Sequence, residues 1–244
     1  MRIDILTLFP QMFEDIFNFS IIGRAKERNL VDIKLRDIRT YTHDKHHIVD
    51  DYPYGGGAGM VLKPEPIFEA VEAVKEESGL ASVFTILLSP QGRLFDQGIA
   101  QELAGYQQLI LVCGHYEGVD ERVADYLVDD EISIGDYLLS GGETAAMVIV
   151  DCLVRLLPGA IGSEDSLTEE SHINGLLEYP QYTRPEVFRS WAVPSVLLSG
   201  NHGRIARWRR QQSLLRTAKR RSDLLARAKL SDMDQKLLDE ALSS

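Results

Sequence analysis

The sequence predicts an α/β protein with a mainly parallel sheet, followed by a small helical C-terminal domain. Two observations carry this prediction. Apolar strand-like segments alternate with helical segments as far as residue 156, which is typical of a parallel sheet. An Arg- and Leu-rich helical pattern then follows a stretch of linker composition. At 244 residues the chain can form two unequal domains, and we expect an α/β domain over 1–160, a linker over 161–175 and a helical domain over 176–244.

Each element follows from hydrophobic spacing and from the residues that end it. Pro10 closes the first strand, Pro64 and Pro66 begin a helix, and Gly79 ends it. The strands are predicted at residues 2–9, 31–35, 84–88, 109–113 and 131–134. The helices are predicted at residues 11–29, 64–77, 96–104, 119–126, 144–156, 201–219 and 220–242.

The charge of the chain is strongly asymmetric. The formal net charge is −11, yet residues 201–230 contain eight Arg and two Lys against the single acid Asp223. That segment therefore carries +9, and the remaining 214 residues carry −20. A local block of one sign predicts partners better than the total, so a polyanion-binding face is as good an interpretation as a solvated helix face.

Composition also restricts the class of protein. No apolar run of about 18 residues is present, and the first residues lead directly into a strand rather than a signal peptide, so we expect a cytoplasmic protein. Cys113 and Cys152, the only cysteines, lie in apolar runs and are predicted to be free thiols. His43, His46 and His47 lack the spacing of a zinc site, so we expect no dedicated metal site.

Three glycine-bearing loops stand out. One is the triple-glycine segment 53–60, which lacks both the P-loop ending and the dinucleotide fingerprint. The other two, residues 114–120 and 132–143, each follow an apolar run and indicate backbone packed closely around a small ligand or, equally, two ordinary turns. Between residues 114 and 143, nine acids face the single base Arg122, a balance that is compatible with a cationic ligand.

Several motifs together resemble the bacterial tRNA (guanine-N1)-methyltransferase family of the TrmD type, over nearly the whole chain. They are Asp4–Pro10, Asp50–Met60, Leu88–Gly92, the loops at 114–120 and 132–143, Tyr182–Pro185 and Leu197–His202. The resemblance implies a trefoil-knotted α/β domain of the SPOUT class and a homodimer whose active sites use both subunits. It also implies methyl transfer from S-adenosylmethionine to N1 of guanosine 37 in tRNA.

The resemblance assigns residues to cofactor binding and to substrate binding. The cofactor pocket is expected to contain Leu87, Leu88, Ser89, Pro90, Gly114, Tyr116, Glu117, Ile132, Ser133, Ile134, Gly135, Tyr137, Leu139, Gly141 and Gly142. The substrate-binding residues are expected to be Asp50, His46, Arg184, Arg209 and Arg210. The family is associated with magnesium, but no ligand set for it is legible in this sequence.

The expected catalytic pair is Arg155 and Glu170. N1 of neutral guanine carries a proton, so the reaction needs a general base and a cation to stabilise charge at O6. Family members usually carry Asp followed by Ser at the position of the base, whereas this chain has Glu170 before Ser171. Glu169 and Asp165 are the alternative bases.

Two other functions stay open at this point. One is a methyltransferase of the same superfamily that acts on a ribose 2′-hydroxyl or on another nucleotide. The other is an RNA-binding module without catalysis, which requires only the basic helices and leaves the glycine loops unexplained. Identification of the methylated atom distinguishes the first, and a test of S-adenosylmethionine binding distinguishes the second.

Overall fold

The computed structural model describes residues 1–162 and 170–243. The chain divides into two compact units, Met1–Gly162 and Ser163–Ser244. Among the described residues, no helix combines the length and the apolar character needed to cross a bilayer.

The first unit is built on a five-stranded parallel sheet with strand order β2-β1-β6-β5-β7. Its strands are β1 (Arg2–Thr7), β2 (Asp32–Asp37), β5 (Val83–Leu94), β6 (Gln108–Cys113) and β7 (Asp130–Ser133). A separate antiparallel pair joins β3 (Asp50–Asp51) to β4 (Val61–Leu62). The helices are α1 (Ser20–Glu27), α2 (Pro64–Ser78), α3 (Gln97–Leu103), α4 (Glu121–Tyr126) and α5 (Glu143–Leu156). This mainly parallel sheet with helices confirms the predicted α/β class.

Helices cover both faces of the sheet. On the central strand β6, Leu109, Leu111 and Cys113 belong to one buried cluster, while Ile110 and Val112 belong to the other. Residues of α1, α3 and α5 complete the first cluster, and residues of α2 and α4 complete the second. Because side chains alternate along a strand, a strand buried on both faces is a continuous apolar run, which is the pattern that made β6 predictable.

The second unit carries a short hairpin and four helices among its described residues. The hairpin pairs β8 (Val187–Phe188) with β9 (Trp191–Ala192). The helices are α6 (Ser195–Leu198), α7 (His202–Arg220), α8 (Ser222–Arg227) and α9 (Asp232–Leu242). Its buried core is small and consists mainly of leucines, namely Leu176, Leu214, Leu237 and Leu238.

Three predictions about individual elements were wrong. The helix predicted over 11–29 is two 3-10 turns, Pro10–Phe13 and Ile16–Asn18, followed by α1, because extended backbone at Phe19 and a positive φ at Ser20 interrupt it. The apolar spacing is instead satisfied by Phe13 and Phe17, whose buried rings lie 5.4 Å apart.

The second error concerns the helix predicted over 220–242, which is split into α8 and α9. Ser231 and Asp234 form a capping box that starts α9. The third concerns β5, which was expected to end at Leu88 but resumes pairing at Arg93, since Leu88 and Arg93 are both registered with Ile132. The four residues between them bulge out of the ladder, and Gly92 there lies against the backbone of Glu131 and Ile132.

Candidate active site

A cavity of about 390 Å³ lies at the carboxyl ends of β6 and β7 and at the bulge of β5 that follows Leu88. The three strands are parallel, so their carboxyl ends meet at one edge of the sheet, which is where open α/β sheets bind ligands. The cavity is formed by the loops that follow Leu88, Cys113 and Ser133.

All fifteen residues predicted for cofactor binding line this cavity. Sequence reasoning missed ten further lining residues, and most lie in the same loops between predicted ones, so taking each loop whole would have found them. They are Gln91, His115, Gly118, Val119, Glu121, Ala124, Glu131, Leu138, Ser140 and Ala145.

Two of the loops are joined directly to each other. The Gly142 N–H donates a hydrogen bond of 2.9 Å to the Gly114 carbonyl, and His115 pairs with Gly141 in an isolated antiparallel bridge. A Cβ built on Gly142 would lie 2.7 Å from Cα of Cys113, so glycine is required for this close approach. Tyr116 adopts a φ of +60°, which only a few per cent of non-glycine residues show.

The lining of the cavity carries negative charge. Glu117, Glu121 and Glu131 contribute carboxylates, and no Lys or Arg of the described chain lines the cavity. Opposite charges attract more strongly where water is partly excluded, so the cavity favours a ligand with positive charge.

A buried carboxylate, that of Glu143, lies beneath the two loops and contacts one of them through His115. Glu143, the first residue of α5, is 2% exposed and accepts a hydrogen bond of 2.7 Å from Thr7 Oγ1. Its other oxygen lies 3.5 Å from Nε2 of His115, which lines the cavity. Burial raises the pKa of the Cys113 thiol well above its usual value, and the charge of Glu143 raises it further. The role of Glu143 was not predicted, because burial and partners 136 residues away in sequence leave no local signal.

The two predicted catalytic residues lie in different units. Arg155 is half-buried in the last turn of α5, close enough to Cys152 for its positive charge to oppose the rise that burial causes in the pKa of that thiol. Glu170 is half-buried in the second unit. The alternative bases, Glu169 and Asp165, lie outside the described residues.

Glu170 lines a second cavity, of about 550 Å³, within the second unit. His202 and Arg209 of α7 share this lining with Asn174, which precedes the hairpin in the sequence. The Arg209 guanidinium lies 4.7 Å from the centre of the Tyr179 ring, a cation–π contact.

The other predicted substrate-binding residues occupy varied settings. Asp50 is half-buried in β3, opposite Leu62, and His46 is exposed in the preceding loop. Arg184 is exposed in the second unit. Arg210 donates two hydrogen bonds to Asp234, at 2.7 and 2.9 Å, so a phosphate would have to compete with that carboxylate.

Within residues 1–162 and 170–243, no three His, Cys, Asp or Glu side chains come together in a group that could hold a metal ion. Both cysteines are free, as predicted, with Cys113 buried and Cys152 half-buried.

Comparison with known proteins identifies the family. A family model described as tRNA (Guanine-1)-methyltransferase TrmD matches residues 1–227. A Dehalococcoides mccartyi protein named tRNA (guanine-N(1)-)-methyltransferase is 60% identical over 243 residues, covering 100% of this chain and 98% of its own. Proteins of the same name from Moorella thermoacetica and Halalkalibacterium halodurans are 57% and 56% identical, each covering 98% of this chain and 96% and 97% of their own. The chain therefore belongs to the TrmD family of tRNA (guanine-1)-methyltransferases.

Proposed function

We propose that this protein transfers a methyl group from S-adenosylmethionine to N1 of guanosine 37 in tRNA. The observation that carries the proposal is the acid-lined cavity at the strand ends, in a chain that belongs to a tRNA methyltransferase family. When bound, the cofactor supplies the electrophilic methyl group. A volume of about 390 Å³ falls within the range of about 300–1,000 Å³ that is usual for small-molecule sites.

The chemistry of the lining fits this cofactor. S-adenosylmethionine carries a sulfonium centre and an ammonium group, and Glu117, Glu121 and Glu131 give the cavity the opposite sign. The Glu117 carboxylate is suited to accept hydrogen bonds from the ribose hydroxyls. Backbone N–H and C=O groups of the loop after β7 are suited to the polar edge of adenine.

Glu170 and Arg155 are assigned to the target base. A Glu170 carboxylate oxygen accepts the N1 proton of guanine, which frees the N1 lone pair for the methyl group. The Arg155 guanidinium stabilises the negative charge that develops at O6 as the proton leaves. Glutamate has the same acid–base chemistry as the aspartate usual at this position, with one more methylene of reach.

The family resemblance implies a homodimer with composite active sites, and exposed apolar side chains of the first unit support it. Three large apolar side chains of the 3-10 region, Met12, Ile16 and Phe19, are 48%, 48% and 67% exposed, and Val148 on the neighbouring α5 is 45% exposed. A group of exposed large apolar side chains is typical of a surface that a partner covers. A second copy of the chain is that partner in a two-fold dimer.

Subunit mixing tests the composite site. Arg155→Ala and Glu170→Gln subunits are each expected to be inactive as homodimers. If one subunit supplies Arg155 and the other Glu170, each heterodimer regains one intact site, and an equal mixture recovers about a quarter of wild-type activity. A mixture that stays inactive after verified subunit exchange would place both residues in the same subunit.

The second unit is assigned to tRNA binding, and three further expectations belong to the same proposal. Seven of the ten basic residues between 201 and 230 are exposed, which suits contact with RNA phosphates. A SPOUT-type trefoil knot in the first unit, a helical C-terminal domain and a cytoplasmic location follow from the family resemblance. Magnesium also follows from it, but the described residues do not form a site for the ion, so no step is derived through it.

Salt dependence tests the assignment to the second unit. Replacing Arg209 and Arg210 by Ala is expected to weaken tRNA binding and to lower the slope of log K against log salt by about 0.7–0.9 per lost phosphate contact. Cofactor affinity should be unchanged, and Lys75→Ala on α2 serves as the control. An unchanged slope would remove both arginines from the phosphate contacts.

Methyl transfer itself is tested with labelled S-adenosylmethionine and two unmodified tRNAs, one with guanosine and one with adenosine at position 37. We expect transfer to the guanosine tRNA alone, and Glu170→Gln should reduce the rate by about 10²–10⁴-fold, the usual contribution of a general base. Glu186→Gln, an exposed carboxylate of the same unit, is the matched control.

The outcomes separate the alternatives. Transfer that survives in Glu170→Gln would assign the base to another residue, with Glu169 or Asp165 next. Methylation mapped to a ribose 2′-oxygen would identify the other type of methyltransferase. Failure to bind S-adenosylmethionine would leave an RNA-binding module.

A further inference from the structure

The triple-glycine loop lies outside the lining of the cofactor cavity but touches it at one residue. Residues 54–59 are exposed, and none of residues 53–60 lines the cavity. A Cβ built on Gly59 would nevertheless lie 2.5 Å from Cγ and 2.8 Å from Cδ of Glu117. The loop therefore rests directly on the carboxylate that is assigned to the cofactor ribose.

The backbone leaving the loop is hydrogen-bonded to the same segment. The Glu117 N–H donates to the Met60 carbonyl at 3.0 Å, and the Leu62 N–H donates to the Gly118 carbonyl at 3.0 Å. The Asp120 N–H completes the ladder by donating to the Leu62 carbonyl at 2.9 Å. Leu62 is fully buried, so this side of the loop is anchored while residues 54–59 are exposed.

We propose that Gly59 is a positioning residue: by lacking a side chain it lets the loop pack on Glu117 and hold that carboxylate toward the cofactor. The inference rests on the proposed function, because it takes Glu117 as a cofactor ligand. Any side chain at position 59 must displace the flexible Glu117 side chain. Cofactor affinity is thereby set partly by a residue outside the cavity.

The same contact couples the loop to the cofactor in both directions. Tyr54 in the loop and Tyr52 just before it are 103% and 79% exposed, and their rings are suited to stack on an unpaired base. A cofactor that fixes Glu117 restricts the loop, and RNA bound to the loop restricts Glu117. Binding free energies are reciprocal, so whatever factor one ligand adds to the affinity of the other applies in both directions, and ordering of a shared contact makes that factor greater than one in this proposal.

Two glycines of one loop provide a matched test. Gly59 and Gly55 have nearly equal φ values of +87° and +86°, but a Cβ on Gly55 would meet nothing within 4 Å. Alanine is strained by the positive φ at either position, and only Gly59→Ala also collides with Glu117. We expect Gly59→Ala to weaken S-adenosylmethionine binding, measured calorimetrically without RNA, about fivefold or more relative to Gly55→Ala.

A double-mutant cycle excludes a general loss of folding. In a Glu117→Ala background the collision partner is gone, so Gly59→Ala and Gly55→Ala should have equal effects on cofactor affinity. S-adenosylhomocysteine, the cofactor without its methyl group, allows tRNA binding to be measured without methyl transfer. The gain in tRNA affinity that it causes should also be smaller in Gly59→Ala than in Gly55→Ala.

The inference is overturned if the two alanine variants bind the cofactor equally in the wild-type background. It is also overturned if their difference persists when Glu117 is Ala. Absence of S-adenosylmethionine binding by the wild-type protein is a separate result, because it would contradict the proposed function before either variant is compared.

Discussion

The two units of this chain have opposite chemistry. The first surrounds a cavity with Glu117, Glu121 and Glu131 at the edge of a parallel sheet with two large buried clusters. The second has a small leucine core and carries the Arg-rich helix α7. The net charge of −11 averages these two surfaces and describes neither. Local charge, rather than the total, therefore decides which kind of ligand each unit is suited to attract.

The largest effect expected from this comparison comes from adding one methyl group to the first unit, which should weaken cofactor binding without affecting tRNA binding by the second unit. Gly142 has a φ of −76°, which any residue can adopt, but a Cβ there would lie 2.7 Å from the backbone of Cys113. Such overpacking costs about 1–3 kcal/mol. The loop that lines the cavity has to move to relieve this overlap, and the ligand-binding conformation then carries that cost. Since about 1.4 kcal/mol is a factor of ten, Gly142→Ala should lower cofactor affinity by up to about a hundredfold.

Binding of tRNA measured without cofactor should be nearly unchanged in Gly142→Ala, because the basic helices lie in the other unit. Gly162→Ala is the control, since a Cβ there meets nothing within 4 Å. Equal losses of cofactor and tRNA binding would contradict the division of tasks between the units.

The next prediction compares two arginines of α7, one paired with a buried carboxylate and one paired with an exposed carboxylate, by the stability lost when each is replaced. Arg210 donates to Asp234 at 2.7 and 2.9 Å, and Asp234 is 8% exposed and also accepts from Ser231. Arg207 donates to Glu240 at 2.9 and 3.2 Å, where both side chains are more than half exposed. We expect Arg210→Ala to lower the free energy of unfolding by about 1–2 kcal/mol and Arg207→Ala by about 0–1 kcal/mol.

Urea unfolding followed by circular dichroism measures both losses, with Asp234→Ala and Glu240→Ala completing the cycles. Equal losses would show that burial of Asp234 adds nothing to the pair. The result also bears on tRNA binding, because a weaker complex in Arg210→Ala has to be separated from partial unfolding of the second unit.

The strongest sequence signals predicted the residues that line the cavity of the first unit. The run at 109–113 is apolar at every position except Cys113, which itself is buried, and it forms the central strand. Parallel strands bring their following loops together, so glycine loops far apart in sequence line one cavity. The family resemblance supplied the individual residues.

Long-range and short-element features were not predictable in this way. The hairpin Val187–Ala192 has strands of only two residues, which are too short to show the alternation of apolar and polar residues that predicts a strand. The break before α9 did leave a signal, since Ser231 and Asp234 have capping-box spacing. The contacts of Gly59 with Glu117 and of Glu143 with Thr7 depend on tertiary packing, which no local pattern encodes.

The smallest expected effect is on the pH dependence of stability, to which one carboxylate in each unit contributes. Asp234 in the second unit has a pKa held below its usual value, chiefly by Arg210. In the first unit, hydrogen bonds from Lys34 and then Arg36 lower the pKa of Glu77 from 4.5 to about 2. A group whose pKa is lower in the folded state stabilises it above the unfolded pKa and loses that contribution on protonation.

Glu77→Gln should therefore lower the urea midpoint of unfolding at pH 7, and its difference from wild type should shrink between about pH 4.5 and 2, the interval between the unfolded and folded pKa values. Glu76→Gln, the exposed neighbour on α2, controls for the loss of one negative charge. A difference that stays constant across this interval would mean that the Glu77 carboxylate does not stabilise the first unit through its charge. Because Glu77 is exposed and screened by solvent, the change should be smaller than that caused by Arg210→Ala in the second unit, where Asp234 is buried.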